Sequence, residues 1–367
     1  MHLYVHVPFC ARRCSYCDFA IAVRRAVPSE AYVEAVLAEW EARIDDAPWR
    51  DLPSIDTVYF GGGTPSRLAP EAIGRLISGF AARRQVAPEA EITLEANPDD
   101  VTSAAAAAWR AAGVNRISLG VQSFDPRVLE WMHRTHRAEQ VPAAMGALRA
   151  AGFDSISLDL IFALPASLDR RWERDLDSAL ALAPDHLSLY GLTVEPRTPL
   201  GRRAARGEPA AGDEDGYARE FLATHARLAA EGWDHYEVSN AARPGRRAVH
   251  NAAYWRRAPF LGLGPSAHSG AGAERWWNVR EWEAYRTAGA SGRVAGHEEL
   301  DGTAVRLEEL YLGLRTREGL ARGRLHPADV AAWTEAGWSV AEGERVRLTA
   351  EGWLRLDGLA AAARDLA

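Results

Sequence analysis

The chain has 367 residues, of which 47% are hydrophobic and 25% charged, and its formal net charge is −7. This composition excludes a fibrous or disordered chain, and the negative balance argues against a protein that mainly binds nucleic-acid phosphates. All 43 basic residues are arginine, which excludes chemistry that needs a lysine, such as a Schiff base. The three cysteines are too few for a disulfide framework, and their odd number indicates a reducing compartment.

The amino-terminal residues lack the basic and apolar regions of a secretory signal. The apolar runs are also far shorter than the roughly 20 residues that a membrane span needs. We therefore expect a cytoplasmic protein. Peripheral association with a membrane is compatible with this sequence.

Short, near-continuously apolar runs alternate with helical patterns over the first half of the chain, as is typical of parallel strands buried on both faces. The predicted strands are 2–7, 55–60, 91–95, 116–121, 155–162 and 186–190. The predicted helices are 29–44, 70–84, 103–112, 125–132 with 138–151, and 168–182. Six β-α units in series predict an α/β fold whose parallel sheet curls into a partial (β/α)6 barrel, with the active site at the carboxyl ends of its strands.

The pattern changes after about Thr193. The elements expected there are an irregular loop at 196–212, a helix at 216–231, a strand at 236–239, an aperiodic stretch at 245–272, helices at 303–314, 327–336 and 350–362, and a hairpin at 340–348. Three domains follow from this order. They are a barrel over 1–195, a barrel-capping α+β extension over 196–300, and a small winged-helix-like unit over 301–367.

Cys10, Cys14 and Cys17 lie on one short loop directly after the first predicted strand. A structural zinc site takes four ligands, and no fourth cysteine or histidine follows at a finger-like spacing. Three thiolates instead suit a 4Fe–4S cluster that keeps one iron open for an exogenous ligand. Arg12 and Arg13 would favour the thiolate form. The other interpretation is three unligated thiols in the core.

Glycine and polar residues occur at the ends of several other predicted strands. Gly61-Gly62-Gly63-Thr64 follows the second strand, Glu95 ends the third, Gln122 follows the fourth, and Asp159 lies within the fifth. Each polar residue interrupts an apolar run, so it is either a hydrogen-bonded core group or a ligand contact. Because these residues meet at one rim of the barrel, they favour a polar ligand. Arg134 is suited to pair with a carboxylate.

The cysteine spacing resembles the signature of radical S-adenosylmethionine (SAM) proteins. The resemblance implies that SAM binds the open iron, and that an electron from the reduced cluster cleaves SAM to methionine and a 5′-deoxyadenosyl radical. Longer stretches, at 120–124, 158–165 and 262–267, are similar to the oxygen-independent coproporphyrinogen III oxidase family. The SAM contacts that this resemblance implies, besides the cysteines, are Tyr4, Tyr16, Gly62, Gly63, Thr64, Glu95, Gln122, Arg134 and Asp159. His268 is a further candidate, because it follows the glycine-rich turn at 262–264.

Two departures from that family separate this chain from its porphyrinogen-oxidising members. Those members carry a further cysteine two positions after the third, where this chain has Phe19, and about fifty more residues ahead of the cluster. Residues 250–255, His-Asn-Ala-Ala-Tyr-Trp, resemble instead a motif of the haem chaperone branch. This implies haem as cargo near His250, Tyr254 and Trp255. Without the resemblance, a histidine beside aromatic residues is more typical of a hydrogen-bonded core residue.

The resemblance predicts a haem chaperone that carries a 4Fe–4S cluster and SAM and passes haem to acceptor haem proteins, with the respiratory chain as the expected destination. The alternative is an oxygen-independent coproporphyrinogen III oxidase that uses the 5′-deoxyadenosyl radical. No nucleic-acid partner is expected, because the arginines of 301–367 alternate with acids as on a solvated surface. The family resemblance is compatible with a homodimer.

Overall fold

The computed structural model describes residues 1–289 and 292–364. The strands are, in chain order, β1 (His2–Val7), β2 (Phe9–Cys10), β3 (Ala22–Val23), β4 (Ile55–Gly62), β5 (Val86–Ala96), β6 (Arg116–Gln122), β7 (Ile156–Phe162), β8 (His186–Gly191), β9 (Asp234–Glu237), β10 (Asn240–Ala242), β11 (Phe260–Leu263), β12 (His268–Ala271), β13 (Glu274–Asn278), β14 (Val294–Glu299), β15 (Leu320–Ala321), β16 (Ser339–Glu342) and β17 (Arg345–Leu348).

The helices surround these strands. They are α1 (Ser29–Arg43), α2 (Pro70–Arg83), α3 (Ser103–Ala111), α4 (Pro126–Trp131), α5 (Gln140–Ala150), α6 (Trp172–Ala181), α7 (Pro199–Ala204), α8 (Glu214–Ala230), α9 (Val249–Trp255), α10 (Trp282–Thr287), α11 (Gly302–Leu314), α12 (Pro327–Glu335), α13 (Ala350–Trp353) and α14 (Leu356–Ala362). Among the described residues, no helix is both long enough and apolar enough to cross a membrane.

One large sheet organises the chain, with the strand order β14-β13-β12-β11-β1-β4-β5-β6-β7-β8-β10-β9. The run from β11 to β8 is parallel, whereas both ends of the sheet are antiparallel. The six strands β1 and β4 to β8 are the six predicted from the apolar runs. The predicted partial (β/α)6 barrel is therefore confirmed.

The barrel strands are apolar because both of their faces are buried. One face packs against helices, and the other faces the interior of the barrel. Leu3 lies opposite Val58 on one side and Leu261 on the other, and these three residues are at most 1% exposed. Parallel strands align their carboxyl ends at one edge. That edge therefore collects the loop after β1, the glycines that end β4, and the polar residues that end β5, β6 and β7.

Three departures from the predicted elements have physical causes. The aperiodic stretch contains β11, a seventh parallel strand, whose identity depends on its partner β1 rather than on its own composition. The expected irregular loop contains α7, which Thr198 caps by accepting a hydrogen bond from the Gly201 amide at 2.9 Å. The helix predicted at 350–362 is two helices, α13 and α14, broken at Leu354 and Arg355.

The last part of the chain packs around a small three-stranded sheet with the order β15-β17-β16. Helices α11 and α12 precede the β16–β17 hairpin, which matches the predicted order of elements. Its likeness to a winged helix stays a prediction. The three domain boundaries also stay predictions, and the large sheet runs through both the first and the second of those domains.

Candidate functional site

A cavity of about 390 Å³ opens at the carboxyl ends of the barrel strands. Most of the residues proposed from the sequence line this one cavity, although they come from distant parts of the chain. They are Cys10, Cys14, Tyr16, Cys17, Gly62, Gly63, Thr64, Glu95, Gln122, Arg134 and Asp159. The structure thus brings the cysteine loop together with the ends of β4, β5, β6 and β7.

The cysteine loop is held in place by Ser15, whose side chain is fully buried. The Ser15 amide and hydroxyl donate to the carbonyls of Met132 and Trp131, each at 3.0 Å, and its carbonyl accepts from the Leu200 amide at 2.8 Å. Before the loop, β2 pairs with β3, so that Cys10 lies opposite Val23. The loop that carries the cysteines is therefore fixed on both sides by backbone hydrogen bonds.

The environment of the cysteine side chains favours sulfur that is bound to iron over a free thiolate. Burial raises the pKa of Cys10 and raises the pKa of Cys17 to about 12, so without metal these thiols keep their protons. A bound iron displaces that proton. The Thr64 hydroxyl donates to Cys10 Sγ at 3.4 Å and Arg134 Nη1 to Cys14 Sγ at 3.6 Å, which stabilises charge on the sulfurs.

In a 4Fe–4S cluster each thiolate binds a different iron, so the three ligands do not converge on a single point. Within residues 1–289 and 292–364, no group of three or more His, Cys, Asp or Glu side chains is arranged to hold a single metal ion. The three thiols share the wall of one cavity, as the ligands of a cluster would. The residues present fit a cluster ligated by three thiolates.

The glycines at the end of β4 are required by the packing around them. Gly62 has φ +111°, and a Cβ there would lie 2.6 Å from the His6 ring. A Cβ on Gly63 would lie 2.7 Å from the Pro8 carbonyl carbon. Any other residue would displace β1 or this turn. The close packing of this turn against β1 and the residues after it therefore requires glycine at both positions.

Two half-buried carboxyl groups face the cavity. Glu95 accepts hydrogen bonds from the Tyr59 hydroxyl at 2.9 Å and the Gly62 amide at 3.0 Å, and burial raises its pKa to about 7. Asp159 accepts from the Ser118 hydroxyl at 2.9 Å, and burial raises its pKa as well. Both groups thus pay a desolvation cost that a bound cation would offset.

Arg134 supplies the opposite charge in the same cavity. Its Nη2 atom donates to Asn97 Oδ1 at 2.6 Å and to the Gly120 carbonyl at 2.7 Å. The cavity therefore offers carboxylates and a guanidinium to the same ligand. This arrangement suits a zwitterion that carries an ammonium and a carboxylate group.

Two residues of the cavity wall have left-handed backbone conformations although neither is glycine. They are Gln122, with φ +67°, and His133, with φ +59°. Non-glycine residues in this region are strained, and such strain is concentrated at ligand sites. Asn97, which follows Glu95 at the end of the third predicted strand, lines the cavity as a polar residue at a strand end should. Reasoning from the sequence did not select His133, Tyr59, Ser118 or Tyr190 as ligand contacts. The alternation within β4 and β6 was the only signal that could have indicated Tyr59 and Ser118.

Two of the proposed SAM contacts do not line the cavity. Tyr4 lies behind it, where its hydroxyl contacts His6 Nδ1 at 3.1 Å and its ring stacks on Tyr59. His268 is exposed on β12, and its ring stacks on Trp277 with 5.7 Å between the centroids. In this structure, therefore, Tyr4 supports the wall of the cavity and His268 lies outside it.

The proposed haem residues lie on α9, away from the cysteine loop. His250 is 1% exposed, and its Nδ1 and Nε2 atoms contact the hydroxyls of Thr57 at 2.7 Å and Tyr254 at 2.9 Å. Its ring also stacks on Tyr59. Burial lowers the pKa of His250 to about 3. The imidazole is thus neutral, and both of its nitrogens are occupied by hydroxyl groups.

Trp255, at the end of the same helix, has a different environment. It lines a second cavity, of about 820 Å³, between α9 and the carboxyl-terminal elements. The Arg315 guanidinium lies 4.3 Å from the centre of the Trp255 ring, and the buried indole Nε1 has no hydrogen-bond partner in the described part of the chain. Arg256 and Arg257 line this cavity too.

The barrel and the cysteine-lined cavity at its carboxyl end define a radical SAM protein, and residues 4–179 match the Radical SAM superfamily. The chain is 40% identical over 365 residues to the heme chaperone HemW of Mycobacterium tuberculosis, covering 97% of this chain and 93% of that protein. It is 32% identical to the heme chaperone HemW of Bacillus subtilis, covering 88% and 85%. The chain belongs to the heme chaperone HemW family.

The fold is also that of a solved structure. Coproporphyrinogen III oxidase (HemN) from Escherichia coli superposes with a TM-score of 0.80 at 23% sequence identity, covering 98% of this chain and 88% of that one. At this identity the likeness concerns the fold alone. The agreement in fold extends beyond the barrel, over nearly the whole length of the chain.

Proposed function

We propose that this protein is a haem chaperone, which binds haem as cargo, carries a 4Fe–4S cluster with SAM, and transfers haem to acceptor haem proteins such as those of the respiratory chain. The observation that carries the proposal is membership of the heme chaperone HemW family over almost the full length of the chain. Phe19 supports it, because this residue stands where the resemblance places a further cysteine in the porphyrinogen-oxidising members.

Cys10, Cys14 and Cys17 are the residues that would hold the cluster. When reduced, such a cluster supplies the electron that cleaves SAM. The chain's own residues would bind and orient SAM. Glu95 would accept hydrogen bonds from its amino group beside Gly62, and Arg134 would pair with its carboxylate. Asp159, on β7, would offer a further acceptor in the same cavity.

The candidate residues for binding haem lie on α9. His250 would need to break its contact with Tyr254 before its Nε2 atom could bind iron. Trp255 lies on an open cavity beside Arg256, which offers a flat aromatic surface and a positive charge for haem propionates. We therefore propose that haem approaches α9 from the side of Trp255.

The test is an anaerobic haem titration, with and without SAM, combined with a turnover assay. The cluster is reconstituted, and coproporphyrinogen III, SAM and a reductant are added. Stoichiometric haem binding, release of haem to an apo-acceptor, and no formation of protoporphyrinogen are expected. Substantial formation of protoporphyrinogen would overturn the chaperone proposal and establish the oxidase instead.

A further inference from the structure

One inward-facing residue of the barrel, Arg116, carries a permanent positive charge. Successive side chains of a strand point to opposite faces of the sheet. Ser118 and Gly120 line the cavity, so Arg116, two residues before Ser118 on β6, points into the barrel as well. Among the inward-facing positions of β1 and β4 to β8, all of which the structure describes, Arg116 is the single arginine. It is 3% exposed, so its charge is buried inside the barrel.

The strand register places Arg116 one layer below the carboxyl groups of the cavity. Between β5 and β6, Arg116 lies opposite Thr93, and Ser118 lies opposite Glu95. The Ser118 hydroxyl in turn donates to Asp159 at 2.9 Å. Two residues along a strand span roughly 7 Å. The Arg116 charge therefore lies within electrostatic range of both carboxyl groups, on the side away from the opening of the cavity.

No close ion pair takes up the charge of Arg116 within the described residues. Its Nε atom is 3.9 Å from Glu91, and that carboxylate already accepts hydrogen bonds at 2.9 Å from the amides of Val249 and His250. The buried Nε atom itself has no hydrogen-bond partner. In the barrel interior, where the dielectric constant is lower than in water, a charge with so little local neutralisation acts over a longer range.

The other titratable side chains around Glu95 and Arg116 are neutral near pH 7. Burial raises the pKa values of the tyrosines and lowers the pKa values of the histidines there. These residues are Tyr4, Tyr59, Tyr190, Tyr236, Tyr254, His186 and His250. The further charged groups of the cavity wall come from loops outside the strands, and they are Arg12, Asp18, Arg134 and Glu195. Inside the barrel, Arg116 is therefore the positive charge that acts on the two carboxyl groups.

Burial and the Arg116 charge have opposite effects on these carboxyl groups. Burial raises the pKa of Glu95 to about 7, and it also raises the pKa of Asp159. The charge of Asp159 adds to the effect on Glu95. The charge of Arg116 lowers the pKa of both groups. Without Arg116, both carboxyl groups would keep their protons to a higher pH.

We propose that Arg116 is a positioning residue of the SAM site, whose buried charge keeps Glu95 and Asp159 ionised at neutral pH. An ionised carboxylate accepts hydrogen bonds at both oxygens, whereas a protonated carboxyl donates from one of them. The amino group of SAM therefore meets two acceptor oxygens at Glu95 only while the carboxylate holds no proton. The inference rests on the SAM site of the proposed function and adds the residue that sets the pH range of SAM binding.

The test is the pH dependence of SAM binding by the cluster-loaded chain, measured by anaerobic calorimetry between about pH 6 and 9. In Arg116→Met we expect the midpoint of binding to move up by about one pH unit. The affinity at pH 7 should then fall by about fivefold, and most of it should return at the alkaline end of the range. Arg116→Lys keeps the charge and should keep the profile of the unmodified chain.

A second measurement needs neither cluster nor SAM. In the cofactor-free chain, carbon NMR follows the side-chain carboxyl of Glu95, whose resonance is identified by its loss in Glu95→Gln. This carboxyl should titrate at a higher pH in Arg116→Met than in the unmodified chain. A purely structural role of Arg116 would change the melting temperature without moving this titration.

The matched control is Thr93→Val, at the neighbouring inward-facing position on β5. The Thr93 hydroxyl is buried without a hydrogen-bond partner in the described part of the barrel, so this substitution alters the same layer without altering a charge. It should leave the pH profile unchanged. Where Arg116→Met does not fold, Glu91→Gln combined with Arg116→Gln removes both charges of the long ion pair and should still move the midpoint up.

An unchanged midpoint in the folded Arg116→Met chain, or in the double variant where that chain does not fold, would overturn the inference. An equal move in Arg116→Lys or Thr93→Val would overturn it too, because packing rather than charge would then be the cause. Failure of the proposed function looks different. An unmodified, cluster-loaded chain that binds no SAM at any pH would refute the SAM site itself.

Discussion

At the scale of single residues, Glu95 shows how a residue placed to bind a ligand lowers the free energy of unfolding. Its folded-state pKa is about 7 because the carboxyl is buried, against an ordinary value of 4.5. As the pH rises between these values the unfolded chain loses its proton first. Glu95 therefore lowers the free energy of unfolding progressively between about pH 4.5 and 7, by an amount on the order of 3 kcal/mol.

We predict that Glu95→Gln raises the melting temperature of the cofactor-free chain at pH 8, but has little effect at pH 5. The amide cannot ionise, so the cost of burying a charge disappears. The same variant should bind SAM less tightly, because the amide no longer offsets a positive charge on the ligand. Calorimetric melts at both pH values and a SAM titration measure the two effects.

Glu89→Gln, at an exposed position of the same strand, is the matched control and should melt with the pH dependence of the unmodified chain. A Glu95→Gln variant that is equally destabilised at both pH values would show that the hydrogen bonds from Tyr59 and Gly62 outweigh the buried charge.

Substitutions at and beside His250 distinguish a structural role of this residue from a role as haem ligand. His250→Ala removes the partner of two hydroxyl groups and leaves space beside Tyr59, which should cost roughly 2–4 kcal/mol of stability. Tyr254→Phe removes only the contact to Nε2 and leaves that nitrogen free. If His250 binds haem iron through Nε2, haem affinity falls in His250→Ala and is kept or raised in Tyr254→Phe.

The haem Soret band of both variants, and their melting temperatures, are the measurements. An unchanged haem affinity in a folded His250→Ala variant would exclude His250 as the axial ligand. The imidazole would then have only a structural role, in which its hydrogen bonds join β4 to α9.

Most of the cavity could be predicted at this scale because its residues follow strand ends, where parallel sheets bind ligands. Cys10, Gly62, Glu95 and Arg134 were identified in this way or through the resemblance. Tyr190 and His133 could not be, because nothing in the sequence shows which exposed side chains turn towards the opening. Tyr4 lies one side chain further from the cavity than expected because Tyr59 stands between.

At the scale of elements, one buried serine joins the cysteine loop to two helices. Ser15 bonds both to the end of α4 and to the start of α7. We predict that Ser15→Ala, which loses only the bond to the Trp131 carbonyl, lowers the free energy of unfolding by about 1 kcal/mol. Because the loop is then held less firmly, iron should pass to a chelator faster than from the unmodified chain.

Iron release is followed by the loss of visible absorbance after the chelator is added. Ser178→Ala is the control, because its hydroxyl also donates to a backbone carbonyl, on α6, away from the loop. Iron release at the same rate from both variants would show that the backbone hydrogen bonds of Ser15 alone are enough to fix the loop.

The barrel strands could be predicted for a reason that does not apply to the later elements of the chain. A strand covered on both faces is apolar throughout, so β1 and β4 to β8 are visible as runs in the sequence. β11 reads Phe-Leu-Gly-Leu, with one glycine between two leucines, and it is a strand because β1 offers it an edge. Helix α7 was overlooked although Thr198 and Pro199 form a recognisable helix start.

At the scale of the whole molecule, the carboxyl-terminal elements are locked to the edge of the large sheet. Arg315 Nε lies 2.6 Å from Glu237, which is fully buried at the end of β9. Backbone bonds reinforce this contact, since the Arg317 amide donates to the Tyr236 carbonyl at 2.8 Å and the Val238 amide to the Arg315 carbonyl at 3.2 Å. Tyr236 and Thr316, which adjoin these contacts in the chain, line the cavity beside Trp255.

We predict that Arg315→Met destabilises the protein by roughly 3–5 kcal/mol, because it leaves the Glu237 carboxylate buried without a counter-charge. Adding Glu237→Gln to it should recover part of that loss, because the amide needs no counter-charge. Arg347→Met is the control, since its partner Glu342 is exposed and such pairs contribute about 1 kcal/mol or less. Chemical unfolding of the three variants measures these differences. An Arg315→Met variant no less stable than the control would mean that backbone pairing alone holds the carboxyl-terminal elements to the sheet, and the cavity beside Trp255 would then keep its shape without the ion pair.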